Sequence, residues 1–195
     1  MLSVLILACS GGSDTATEAV DPLSWSVLEA GEYAIGYRQV EQIYAQPSGE
    51  DFTIPVSIWY PTTQTSGEAP MYFGIVEDTE AILDAAPAAS AHEGGYPVLI
   101  FSHGSYLYGA SSSFLARHFA SHGWIVAAPD HVGNLLVDYG TEPGLPIYSQ
   151  RPLNDAAALD AVSEWSELSG AVTDRVVLSG YSFGGYDTWA SIGGQ

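Results

Sequence analysis

Arg175-Val176-Val177-Leu178-Ser179-Gly180-Tyr181-Ser182-Phe183-Gly184-Gly185-Tyr186 is the stretch on which the fold turns. Residues 175–179 read as a strand, expected to form an open, apolar sheet edge, and Phe183 to Ile192 reads as a helix. Between them Gly180 to Gly184 spells G-x-S-x-G. Alone, that pattern is weak in a chain rich in Gly and Ser. Its weight comes from the setting, a strand, a sharp turn and a helix, with Ser182 in the turn. The glycines have a steric reason. A side chain projecting from a strained turn needs small neighbours, which Gly180 and Gly184 supply, and Gly185 is expected to let the helix approach the sheet. The helix N-terminus also points free N–H groups and its positive dipole end at Ser182. Ser182 is therefore the candidate nucleophile.

Working outward, Pro97-Val98-Leu99-Ile100-Phe101 and Trp124-Ile125-Val126-Ala127-Ala128 are continuous apolar runs, expected of strands covered on both faces. Ser111 to His122 reads as a helix stopped by Gly123, and Leu153 to Leu168 as an amphipathic helix with Leu153, Ala157, Leu159, Ala161, Val162 and Trp165 inward. Strands alternating with helices at this spacing predict βαβ units and a mostly parallel sheet with flanking helices. Upstream, 33–44 and 52–60 read as two strands, with Pro55 suited to an early or edge position. Residues 71–95 read as an insertion holding a short strand and an Ala-rich helix ended by Pro87.

An acyl-transfer site needs two donors aimed at a developing oxyanion. The Phe183 amide, directly after Ser182, is one candidate. Phe101-Ser102-His103-Gly104-Ser105 follows a central strand and offers the Ser105 amide, with Gly104 expected to let the backbone turn. His103 is read as holding this loop by hydrogen bonds rather than as a base. Tyr106 and His131 are candidate substrate-lining residues, His131 because it ends a strand at the edge where such sheets bind ligands.

Charge narrows the partners. Twenty-three acidic residues face four basic ones, all arginine, for a net charge of −19. Such a chain repels nucleic acid and anionic lipid. Its one cysteine, Cys9, rules out an internal disulfide and ends the apolar run Met1 to Ala8. Residues 1–9 read as a signal peptide with a lipobox-like Ile6-Leu7-Ala8-Cys9, and 10–30 as a flexible tether. That predicts a bacterial cell-envelope protein attached to the membrane through a lipidated Cys9, or a secreted one. The folded domain is then 31–195.

At this point a resemblance emerges. Val56-Ser57-Ile58-Trp59-Tyr60-Pro61, Pro97 to Gly104, Phe114 to His131, Arg151-Pro152-Leu153-Asn154-Asp155 and Ser182-Phe183-Gly184-Gly185 are similar to the platelet-activating-factor acetylhydrolase-like branch of the α/β-hydrolases, related to dienelactone hydrolases. Tyr181 departs from it, where His is common. The resemblance implies that the strands ending at Phe101 and Ser179 lie side by side. It also implies hydrolysis of a carboxylic ester, short-acyl or phospholipid-like, without metal or cofactor. In that fold the acid and histidine of the triad follow the serine. Here thirteen residues follow Ser182, with no His, and Asp187 is read as a surface or helix-packing residue. The expectation is an incomplete hydrolase fold whose last strands are absent, and a Ser182 weak for want of a base. The alternatives are a non-catalytic surface lipoprotein that binds through the pocket, or a hydrolase of amides or thioesters.

Overall fold

Alternation along the buried strands decides what each face of the sheet carries. The computed structural model describes residues 26–92, 94–168 and 171–193. Readings that concern residues 1–25, the lipobox-like segment and Cys9 among them, lie outside the described residues.

Strands β1 (Ala34–Ala45) and β2 (Asp51–Thr62) form a long antiparallel hairpin. Two-residue strands β3 (Met71–Tyr72) and β4 (Val76–Glu77) make a small separate hairpin, and β5 (Ile82–Leu83) runs parallel to β1. Then come β6 (Tyr96–Ser102), α1 (Ser113–Ser121), β7 (Ile125–Pro129), α2 (Ile147–Ser163), β8 (Val172–Gly180) and α3 (Phe183–Ser191). The main sheet has the order β5-β1-β2-β7-β6-β8, and three of its five pairings are parallel. The parallel block β7-β6-β8 carries the site, and Phe101 pairs with Ser179 as the resemblance implied.

Val98 and Ile100 point to one face, where Ala157, Ala158, Ala161 and Val162 of α2 cover them. Leu99 and Phe101 point to the other, against Ala116 and Ala120 of α1. Both faces of β6 are thus covered, which is why residues 97–101 are uninterrupted by polar side chains and the first one, Ser102, comes at the strand's end. Pro55 lies in a strand flanked by β1 and β7 rather than at an edge; its carbonyl accepts from the Asp130 N–H at 2.8 Å just beyond β7, so its missing N–H falls at the margin of the β2–β7 ladder.

Two expectations fail. No helix forms between residues 71 and 92. Ala81, Ala85 and Ala88 are buried there, and the segment is tied down by polar bonds. Trp59 Nε1 donates to Tyr72 Oη at 2.8 Å, Tyr72 Oη donates to Asp78 at 2.6 Å, and Arg117 clamps Asp78 at 2.5 Å. Small alanines here serve close approach rather than helix formation. The second helix also starts earlier than expected, at Ile147, and carries Pro152 inside it. Pro152 leaves the Tyr148 carbonyl without its intrahelical donor. Tyr186 Oη of α3 donates to that carbonyl at 3.4 Å.

Candidate active site

Ser182 sits at the end of β8 as the N-cap of α3, with φ 55° and ψ −113°. A non-glycine residue in this region costs about 1–3 kcal/mol and persists only where its surroundings dictate it. They do so here through three backbone bonds: Tyr181 N–H to Ser102 O at 3.1 Å, Gly184 N–H to Tyr181 O at 2.9 Å and Gly185 N–H to Ser182 O at 3.0 Å. The glycines are not equivalent. A Cβ at Gly180 would fall on the Gly184 carbonyl, and one at Gly184 on the Ser102 carbonyl. At Gly185 a Cβ would meet only Gly180 O, at an ordinary 3.9 Å. Gly185 is therefore not needed for close packing, contrary to the sequence expectation. The Ser182 side chain is exposed, and none of the described histidines hydrogen-bonds to it.

The loop after β6 lies against this turn. A Cβ on Gly104 would stand 3.0 Å from Tyr181 Cδ1 and 3.3 Å from Tyr181 O. Gly104 has no left-handed φ, so the need for glycine is one of space, not of conformation. Ser105 follows it and is exposed. None of the hydrogen bonds around the turn uses the Ser105 or Phe183 amide. Tyr106 holds φ 59°, half-buried, with its hydroxyl donating to Thr141 O at 2.8 Å and its ring 5.5 Å from Tyr139. The Phe183 ring lies 5.1 Å from Tyr148 and 5.6 Å from Tyr186, with the Arg151 guanidinium over it at 4.5 Å.

Behind the turn is a buried polar network. Arg151 Nε donates to Asp187 Oδ2 at 2.6 Å, Nη1 to Asn134 Oδ1 at 2.7 Å, and Nη2 to the His103 carbonyl. Ser102 Oγ donates to the same Asp187 oxygen at 2.7 Å. Tyr44 Oη donates to Asn154 Oδ1 at 2.7 Å, which turns the Asn154 amide nitrogen toward His131 Nδ1 at 3.1 Å. His131 Nδ1 is thus an acceptor, and its Nε2–H donates to Ser102 Oγ at 2.8 Å. His103 Nε2 accepts from the His131 amide at 3.1 Å, and its Nδ1–H donates to Gly104 O at 2.7 Å.

This corrects two sequence readings. His131 is fully buried and spends both ring nitrogens inside the network, so it does not line a pocket for substrate. Asp187 is fully buried and ion-paired with Arg151 of α2, which removes the surface alternative and keeps the helix-packing one. Ser102, Arg151, Asn154 and Asp155 were not singled out for this role. The available signal was one of only four cations, standing with Asn154 and Asp155 on the same helix face as Ala158, Ala161 and Val162.

The electrostatics follow from burial. Desolvation, reinforced by the Arg151 charge, holds the His103 imidazole down to about 3. Desolvation, then His103 and Arg151, keep His131 well below the usual histidine range. Burial, reinforced by Asp187, pushes the Asp155 carboxyl well up. Burial also raises Asp187, against the pull of Arg151. Both histidines are therefore neutral at pH 7. The Ser102–His131 contact looks like a nucleophile with its base, yet Ser102 is buried and its proton is committed to Asp187. Among the described residues no group of three or more His, Cys, Asp or Glu is arranged to hold a metal ion. No described helix is long and apolar enough to cross a membrane.

Comparison with known proteins identifies the lineage. The chlorophyllase family profile matches residues 77–192. No curated protein matches the chain. A ferulic acid esterase from Streptomyces cinnamoneus shares the fold, with a TM-score of 0.64 and 20% identity over 84% of this chain. A protein described as a dienelactone hydrolase from Klebsiella pneumoniae subsp. pneumoniae MGH 78578 aligns at 18% identity over 80% of this chain, with a TM-score of 0.40. The chain spans 56% and 54% of the lengths of these two structures.

Proposed function

The chain belongs to the chlorophyllase family, within the α/β-hydrolases, and on that footing we propose that it carries the nucleophile of a serine hydrolase of carboxylic esters of small molecules or lipids. The observation that carries this reading is the Ser182 turn, a non-glycine residue at φ 55° whose geometry is enforced by Gly180, Gly184 and Ser102. In this reading Ser182 Oγ attacks the ester carbonyl carbon and gives its proton to a base. The tetrahedral oxyanion accepts hydrogen bonds from the Phe183 and Ser105 amides. Collapse expels the alcohol, which takes up the proton, and water then releases the acid from the acyl-enzyme. The exposed rings of Tyr148 and Tyr186 beside Phe183 favour an apolar substituent next to the scissile bond.

His103 and His131 are buried and poor proton acceptors, and neither bonds to Ser182. The 195-residue chain by itself is then a slow nucleophile. A fluorophosphonate probe with peptide mapping tests both parts. The expected result is slow labelling confined to Ser182 and abolished by Ser182→Ala. Labelling at another serine would overturn the nucleophile assignment, and rapid stoichiometric labelling would overturn the expectation of a slow nucleophile. No labelling at all would favour a pocket that binds without catalysis.

A further inference from the structure

Two separate stretches of backbone have to be held together for the proposed oxyanion site. The Ser105 amide belongs to the loop after β6, and the Phe183 amide belongs to the start of α3. Their backbones meet at the end of the β6–β8 ladder, where Ser102 pairs with Gly180 and the Tyr181 N–H donates to Ser102 O at 3.1 Å. A second tie, made by side chains, holds them beyond the ladder. Asp187 stands five residues after Ser182 on α3 and accepts from Ser102 Oγ, the residue at the root of the oxyanion loop, at 2.7 Å. The same oxygen accepts from Arg151 Nε at 2.6 Å. Arg151 in turn donates to the His103 carbonyl, lies 4.5 Å over the Phe183 ring, and binds Asn134, whose carbonyl holds the Tyr106 amide at 3.1 Å. One carboxylate and one guanidinium therefore touch both sides of the oxyanion site and neither of the amides that would do its chemistry.

We propose that Asp187, acting through Ser102 and Arg151, is a positioning residue that sets the spacing and direction of the Ser105 and Phe183 amides. This rests on the reading of Ser182 as nucleophile. Its physical logic is that a charge-assisted, bidentate-capable guanidinium gives directional bonds, and that these bonds are undiluted by water in a site with no solvent access. Apolar residues of the same volume would fill the space but would not fix an angle. The Asp187 carboxylate must also be presented from one turn into α3, so the tie orients the helix whose N-terminus faces the reaction.

The test reads the fluorophosphonate reaction at Ser182, resolved into a limiting rate and a half-saturating probe concentration. Ser102→Ala breaks the tie without touching the Arg151–Asp187 pair. Its limiting rate is expected to fall roughly ten- to hundredfold, as small misplacements of catalytic groups do, with the half-saturating concentration unchanged and the protein still folded at the assay temperature. Asp187→Asn keeps an acceptor oxygen and is expected to retain more of the rate than Asp187→Ala. A Ser102→Ala protein that reacts at the wild-type limiting rate overturns the inference. Should the unaltered chain show no labelling, or Ser182→Ala still label, the nucleophile reading fails instead. Amide exchange then judges the tie alone. Exchange at the Tyr106 and Tyr181 amides, which hydrogen-bond to Asn134 O and Ser102 O on either side of the site, is expected to quicken roughly tenfold in Ser102→Ala, with the β1–β2 amides unchanged, and unchanged exchange at both overturns it.

Discussion

Gly184 and Gly185 are adjacent, chemically identical and physically opposite. The Cβ of an alanine at 184 would occupy the space of the Ser102 carbonyl, a backbone atom with nowhere to go. Gly184→Ala is expected to cost at least about 2–3 kcal/mol, the scale of overpacking a dense interior, and to disturb the turn. Gly185 is a helical residue with open space around it, so Gly185→Ala is expected to stabilise by about 0.5–1 kcal/mol through helix propensity. Urea unfolding of the two variants measures both, and equal effects would refute the distinction. The sequence could not draw it, because G-x-S-x-G-G does not say which glycine faces a neighbouring strand. The same limit hid the network behind the turn. Ser102 and Asp187 are 85 residues apart, and nothing local marks either as polar and buried. His131 was misjudged for the mirror reason: its place at a strand end was legible, and its enclosure by Asn154 and Ser102 was not.

At the level of elements, strands and helices with one strong periodicity were legible. The β6 and β7 runs, the Gly123 stop of α1 and the β8–α3 junction all came from local pattern. What was lost depended on a competing local signal. The apolar pattern pointed to a start at Leu153, yet α2 begins six residues earlier, and Tyr186 gives the Tyr148 carbonyl the donor that Pro152 lacks. The alanines near 81–88 pointed to a helix, yet tertiary bonds from Asp78 and Tyr72 won. The element with the clearest consequence is β8. It is the outermost strand next to β6 in the described sheet, and Val176 and Val177 are 36% and 45% exposed although they face opposite ways. An apolar edge strand of this kind templates association with a second strand. Val177→Lys is expected to reduce self-association, moving the sedimentation profile toward monomer at matched concentration. An unchanged profile would show that this edge is not what associates.

For the molecule as a whole, the buried titrating groups oppose one another across acid pH. His103 is a base whose folded value, about 3, lies below its unfolded one. Only the unfolded chain takes up that proton as pH falls below about 6.5, so its contribution is present above that value and lost on acidification. His131 acts in the same sense. Asp155 is an acid whose folded value is raised, so its contribution is present below about 4 and lost as pH rises. Between these limits the terms offset. Asp155→Asn, permanently neutral, removes the offset. The variant's stability is expected to fall more steeply than wild type between pH 6.5 and 4, by up to about 1.4 kcal/mol per pH unit for the one proton involved. Urea unfolding across that range measures it, and parallel curves would count against the assignment.

The Ser182 turn is short, but its shape is not a property of its six residues. Tyr181 needs the Ser102 carbonyl, and Gly184 needs to rest on it. The strained φ is thus supplied by a strand laid down some eighty positions earlier in the chain. Transplanting Gly-Tyr-Ser-Phe-Gly-Gly into another strand–helix junction would carry the letters without the conformation. A scan for the motif therefore finds only candidates, and what separates a nucleophile from an ordinary serine is whether a neighbouring strand offers its carbonyl at that spot.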